Sequence, residues 1–148
     1  MRFAIGLSLI GVALIFVPVC LHAAEPRTTE VDGKWEAIRY NDKGTDDEEI
    51  VKSKFVAIRE EGHQTITKAG NPWKERQYSV NPKAKPKQIT WSDPKDGKVT
   101  ALGIYKVKDN MMTIAAYADD AKRVVDRPKD FKPSKDKTVV VYRLVKEK

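Results

Sequence analysis

Nucleophilic catalysis needs a serine, cysteine or threonine beside a positioned base, usually histidine. The chain holds one cysteine, Cys20, and two histidines, His22 and His63. Cys20 and His22 fall in an N-terminal segment that reads as a secretory signal, so beyond residue 24 there is no thiol and a single imidazole. His63 lies in a predicted hairpin turn, Glu60-Glu61-Gly62-His63, where the expected role is that of a solvated turn residue. Carboxylate chemistry has one obvious source, Asp46-Asp47-Glu48-Glu49. Glycosidases need two acids set across a cleft, whereas these four are adjacent and stand at a predicted helix start, where acids favour the helix dipole. The same run offers oxygen ligands for calcium but lacks the alternating acids and glycine of a calcium loop. No catalytic residue, metal site or cofactor is assigned, and the chain reads as a non-enzyme.

The remaining chemistry is basic. Lys83, Lys85 and Lys87 alternate with Ala84 and Pro86, so an extended edge would project all three ammonium groups together. Lys122, Arg123, Arg127, Lys129, Lys132, Lys135 and Lys137 crowd a later connection among acidic neighbours. The formal charge is +7, of which Arg2 contributes one. Such a balance favours anionic partners in general. Nucleic acid is not expected, because it calls for aromatic stacking platforms beside the charge and Trp91 and Tyr105 are predicted to face inward. The basic residues are expected to form a solvated face, with weak attachment to anionic envelope polymers or lipid head groups as the sharper alternative.

Compartment follows from residues 1–24. Arg2 precedes an uncharged run from Phe3 to Val19, Pro18 interrupts it, and the small residues Ala23 and Ala24 lead into the polar Glu25-Pro26-Arg27. That is the order of a secretory signal, with cleavage expected after Ala23 or Ala24. An uncleaved anchor is the other option for an apolar run of this length, and Pro18 and the small residues disfavour it. No stable membrane insertion is therefore expected after cleavage, and the product is expected in the periplasm or outside the cell. Lipidation at Cys20 would need a small residue before it, and Val19 stands there. Without cysteine the mature chain has no disulfide, so a hydrophobic core must supply its stability.

The elements that would position any site are short. Lys34 to Tyr40, Lys54 to Arg59, Gln64 to Lys68, Trp73 to Val80, Lys87 to Ser92, Lys98 to Lys108, Met111 to Ala118 and Thr138 to Lys146 read as eight strands separated mostly by tight turns. Such a series predicts an all-β antiparallel meander closed as a barrel or stacked as a sandwich. Residues 25–30 form a short extension and 31–148 the domain. Alternation turns Ile89 and Trp91 inward from one strand and Gly103, Tyr105 and Val107 inward from the next, with Tyr78, Val80, Met112, Ile114 and Ala116 completing an aromatic-rich interior. Thr45 with Glu48 three residues on reads as a capping box that opens a short helix after the first strand, crossing one barrel mouth.

Several landmarks carry a resemblance. Val31-Asp32-Gly33-Lys34-Trp35, Asn81-Pro82-Lys83-Ala84-Lys85-Pro86-Lys87, Leu102-Gly103-Ile104-Tyr105-Lys106-Val107 and Arg127-Pro128 with Phe131 resemble, over about residues 31 to 146, a family of small exported domains abundant in planctomycete bacteria. The resemblance implies a lipocalin-like eight-stranded barrel of uncharacterised function and brings no catalytic residue with it. Gly33-x-Trp35 also looks like the first-strand signature of lipocalins, whose tryptophan packs near the closed end of the barrel against a basic residue of the last strand. Arg143 is the candidate for that partner.

Two function classes follow. An eight-stranded barrel holds a small ligand when side chains do not fill its interior, and Tyr78, Trp91, Tyr105, Met112 and Tyr142 are the candidate lining for a small apolar or amphipathic molecule. The alternative is an envelope-associated structural or interaction protein acting through Lys83, Lys85 and Lys87 on anionic polymers or lipid head groups.

Overall fold

The computed structural model describes residues 29–117 and 126–146. The signal-like segment with its cleavage point, and Lys122 and Arg123, lie outside the described residues. Strand β1 (Gly33–Asp42) is followed by a two-residue β2 (Thr45–Asp46) and a five-residue helix α1 (Glu48–Lys52). Then come β3 (Val56–Glu60), β4 (His63–Lys68), β5 (Asn71–Asn81), β6 (Lys87–Ser92), β7 (Val99–Lys108), β8 (Met111–Tyr117) and β9 (Lys137–Leu144). From β3 onward each strand pairs antiparallel with the next, β1 pairs β3, and β1 also pairs β9 from Trp35↔Leu144 to Asp42↔Thr138. The sheet therefore closes as an eight-stranded, lipocalin-like antiparallel barrel, with β2 appended to β1 alone. Closure removes every long unpaired edge.

Local chemistry explains the meander. Glu61-Gly62, Ala69-Gly70 and Asp109-Asn110 each join two strands through a pair of residues at positive φ. This is the two-residue hairpin whose twist matches that of the strands. Asn71 and Pro72, expected to belong to a turn, instead open β5 opposite Lys68 and Thr67, because Ala69-Gly70 alone completes the reversal. Lys54, expected in the second strand, has φ +52 and precedes it.

The helix begins later than the capping box predicts. Lys43 and Gly44, at φ +51 and +87, form another tight turn. Thr45 and Asp46 are consumed as its return strand, paired with Asp42 and Asn41. Asp47 is the cap, accepting 3.0 Å from the Ile50 amide. Ile50 packs onto the core while no α1 residue lines the interior cavity, so the helix flanks the barrel mouth instead of crossing it.

One barrel end is sealed by the lead-in before β1. Val31 is fully buried, and its carbonyl accepts a 2.9 Å hydrogen bond from Nε1 of the buried Trp35. Asp32 accepts from the Tyr78 hydroxyl, and Glu30 accepts from the Tyr105 hydroxyl at 2.9 Å and from Lys87 at 2.6 Å. Burial pushes the Glu30 carboxyl upward, but the Lys87 and Tyr105 contacts outweigh it and hold the group below its usual range. Outside the barrel, Ile104, Ala115 and Val139 form a second buried cluster against which Phe131 packs. Arg127 of the same connection donates to the Ile89 carbonyl at 2.5 Å, the Gly103 carbonyl at 2.7 Å and Thr90 Oγ1 at 2.6 Å. These contacts explain why β9 is apolar on both faces: Val140 and Tyr142 point inward while Val139 meets the covering connection.

Candidate functional site

Opposite the sealed end, the interior opens into a cavity of about 300 Å³. Its mouth is set by Tyr40, Asp42 and Lys43 at the end of β1, Phe55 before β3, Trp73 in β5, and Tyr117 and Thr138 at the facing ends of β8 and β9. Phe55 is buried and meets Tyr40 and Trp73 edge-on, each at 5.6 Å between ring centroids. Trp73 itself is 56% exposed. Tyr40 reaches the interior through an irregularity in β1: the register with β9 shifts between Ala37 and Arg39, so Arg39 turns out to Asp46 and Tyr40 turns in.

Farther along the strands the wall becomes polar. Arg59 in β3 is 1% exposed, and its Nε donates to Gln64 Oε1 in β4 at 2.7 Å. The same oxygen accepts from Trp91 Nε1 at 3.1 Å. The Arg59 guanidinium carbon stands 5.3 Å from the centroid of the Tyr142 ring, and that of Arg76 stands 6.0 Å from the Trp91 ring. Arg59 Nη1 is buried with no hydrogen-bond partner. Ile66, Ala101, Ile114, Ala116 and Val140 supply the apolar remainder.

Electrostatics inside the barrel follow from burial. It pulls the Arg59 guanidinium below its usual value, with Tyr142 opposing, yet a guanidinium stays protonated in a protein. Burial pushes the Tyr142 phenol up against the opposing pull of Arg59 and Arg76, and pushes Tyr40 up to about 12, helped by Tyr142, Asp42 and Asp47. At neutral pH the phenols are uncharged and the arginines charged. Among the described residues the lining thus holds the cations Lys43, Arg59 and Arg76 and one carboxylate, Asp42, which lies at the mouth and accepts from Thr138 Oγ1 at 2.6 Å.

The expected lining divides between the two ends. Trp91 and Tyr142 stand in the cavity wall. Tyr78, Tyr105 and Met112 are buried in the core but do not line this cavity; the two phenols serve the sealed end through Asp32 and Glu30. Strand direction accounts for this, since Tyr78 is late in β5 and Tyr105 late in β7, and both ends lie at the seal. Arg143 is not the partner of Trp35. It pairs in register with Glu36, is largely exposed and approaches that carboxylate at 3.8 Å, while Leu144 stands opposite Trp35. The inward parity of Val140 and Tyr142 forces Arg143 outward. The basic side chain of the cavity wall that is fully buried is Arg59. Phe55 and Ala57, both buried, share its parity and carry the signal that could have found it.

Lys83, Lys85 and Lys87 do not form one extended edge. Residues 82–86 are a turn connection in which Lys83 and Lys85 are exposed, whereas Lys87 opens β6, is partly covered and is held by Glu30. Lys137 is buried against Asp130 at 2.6 Å. His63 is exposed at the start of β4. In the acidic run, Asp46 is bound by Arg39 and Asn41, Asp47 caps the helix and Glu48 pairs with Lys52. Among the described residues, no cluster of three or more histidine, cysteine or acidic side chains is arranged to hold a metal ion.

Comparison with protein-family models, with curated proteins and with solved structures finds no match to this chain.

Proposed function

We propose that this chain is an exported, non-enzymatic binding module that carries a small amphipathic ligand inside its barrel. The observation that carries the reading is the cavity of about 300 Å³, bounded by aromatic and aliphatic side chains with a few convergent polar groups. Small-molecule sites have this composition, and the volume lies at the lower end of their range of about 300–1,000 Å³. The half-exposed Trp73 at the mouth and the buried Trp91 in the wall give an entering molecule one aromatic contact at each level. Surface attachment to anionic envelope polymers has weaker support, since the Glu30 pairing holds Lys87 and leaves two exposed lysines, Lys83 and Lys85, from the expected set of three.

Native mass spectrometry of the protein purified from its own host tests the reading. A defined added mass, released by organic extraction and lost when the cavity is blocked by Ala116→Phe, is the expected result. A protein that carries no added mass and gains none when offered small amphiphiles would overturn it.

A further inference from the structure

The cavity contains a group that the barrel itself leaves unsatisfied. Arg59 is fully enclosed; its Nε donates to Gln64 and its guanidinium also meets Tyr142, yet Nη1 has no partner among the described residues. Gln64 Oε1 is shared with Trp91, and among the described residues no carboxylate forms an ion pair with Arg59. Removing an ion from water costs several kcal/mol unless opposite charge and hydrogen bonds compensate. An arginine fork also matches a carboxylate in two-point geometry. Tyr142 under the guanidinium and Gln64 at its Nε fix the orientation of that fork. Arg76 adds positive charge on the adjacent strand, opposite Gln64. Between this polar patch and the mouth, the wall formed by Phe55, Ile66, Ile114 and Val140 is apolar.

We propose that Arg59 is the head-group anchor of the cavity and that the cavity takes a small monocarboxylate with an apolar body, its carboxylate at Arg59 and its chain directed toward Trp73. This rests on the binding-module reading above. The ligand supplies the anion that Arg59 lacks among the described residues, and its apolar portion fills the outer part of the cavity. Chain length is limited by the volume to a medium-sized molecule.

The test compares octanoate with octanol, which share a chain and differ in charge, by calorimetry and by Trp fluorescence on the native protein and on Arg59→Met and Arg59→Lys. A charge-assisted hydrogen bond contributes about 1.5–3 kcal/mol, so octanoate is expected to bind about tenfold to a hundredfold more tightly than octanol. Arg59→Met should remove that preference while leaving octanol binding intact. Its fold is expected to survive, since replacing an unpaired buried ion by an apolar side chain is often neutral or stabilising. Arg59→Lys keeps the charge without the fork and should retain part of the preference, which preserves the test if the methionine variant is unstable. Equal binding of octanoate and octanol would overturn the head-group assignment and leave the cavity reading standing. A preference that persists in Arg59→Met would place the anion elsewhere and overturn it too. Tighter binding of octyl phosphate than of octanoate would overturn the choice of a carboxylate. Binding of none of these probes would overturn both the anchor and the binding-module reading.

Discussion

Gly103 offers a sharp test of how the interior is packed. A Cβ at this position would lie 2.8 Å from Trp91 Cζ3, 3.0 Å from Trp91 Cη2 and 2.9 Å from the Ala115 carbonyl oxygen. The carbonyl belongs to the neighbouring strand β8 and cannot retreat, so Gly103→Ala must displace the Trp91 ring. Overpacking of this kind costs about 1–3 kcal/mol. Tilting the indole also strains its hydrogen bond to Gln64, which is worth about 0.5–1.5 kcal/mol. The unfolded chain loses freedom when alanine replaces glycine, which offsets about 0.4–1 kcal/mol. The net expectation is a loss of about 1.5–3 kcal/mol, or roughly 6–12 °C in Tm for a domain of this size. Gly70→Ala is the control. With φ +79 and nothing within 4 Å, it incurs only the left-handed backbone cost of about 1–2 kcal/mol, less the same offset. Melting curves followed by far-ultraviolet circular dichroism give the stabilities, and near-ultraviolet spectra report the Trp91 environment. A Gly103→Ala protein that melts with the native one and keeps its aromatic spectrum would refute the packing argument.

Other consequences are equally direct. Trp35 is 2% exposed and Trp73 56%, so Trp35→Ala should cost about 3–5 kcal/mol and Trp73→Ala far less, as compared by urea denaturation; equal midpoints would contradict the assignment of Trp35 to the sealed end. Arg143→Ala should change stability by less than about 0.5 kcal/mol, because its pair with Glu36 is long and exposed; a large loss in the same denaturation series would mean that it supports Trp35 after all. The Glu30 carboxyl is held below its ordinary value of 4.5, so its contribution is fully present above that value and is lost as pH falls through the depressed folded value. Tm measured against pH should therefore fall less steeply on the acid side in Glu30→Gln, though Asp46 and Asp130, shifted the same way, keep part of the slope; an unchanged slope would show that the Lys87 and Tyr105 contacts do not hold the charge.

Much of the architecture was written locally. Two-residue turn signals such as Glu61-Gly62 and Asp109-Asn110 lie between short alternating segments, and both turn chemistry and alternation act over a few residues, so they survive translation into an eight-stranded meander. The burial of Ile89, Trp91, Tyr105, Met112 and Tyr142 follows from the same parity. What alternation cannot say is at which end of the barrel an inward residue comes to lie. Tyr105 and Trp91 are both inward, yet one binds Glu30 at the seal and the other lines the cavity, a division made by strand direction and by where the Thr29–Asp32 lead-in docks. Nor does local pattern foresee the register shift beside Ile38, which turns Tyr40 into the cavity and Arg39 out to Asp46. Arg59 shows the limit best. Its residue type belongs outside and its strand also contains Ile58, yet Ile58 is 40% exposed and Arg59 is enclosed. The pairing of β3 between β1 and β4 sets the face on which Phe55, Ala57 and Arg59 fall, and closure of β1 onto β9 then encloses that face, so this charge became interior through tertiary structure.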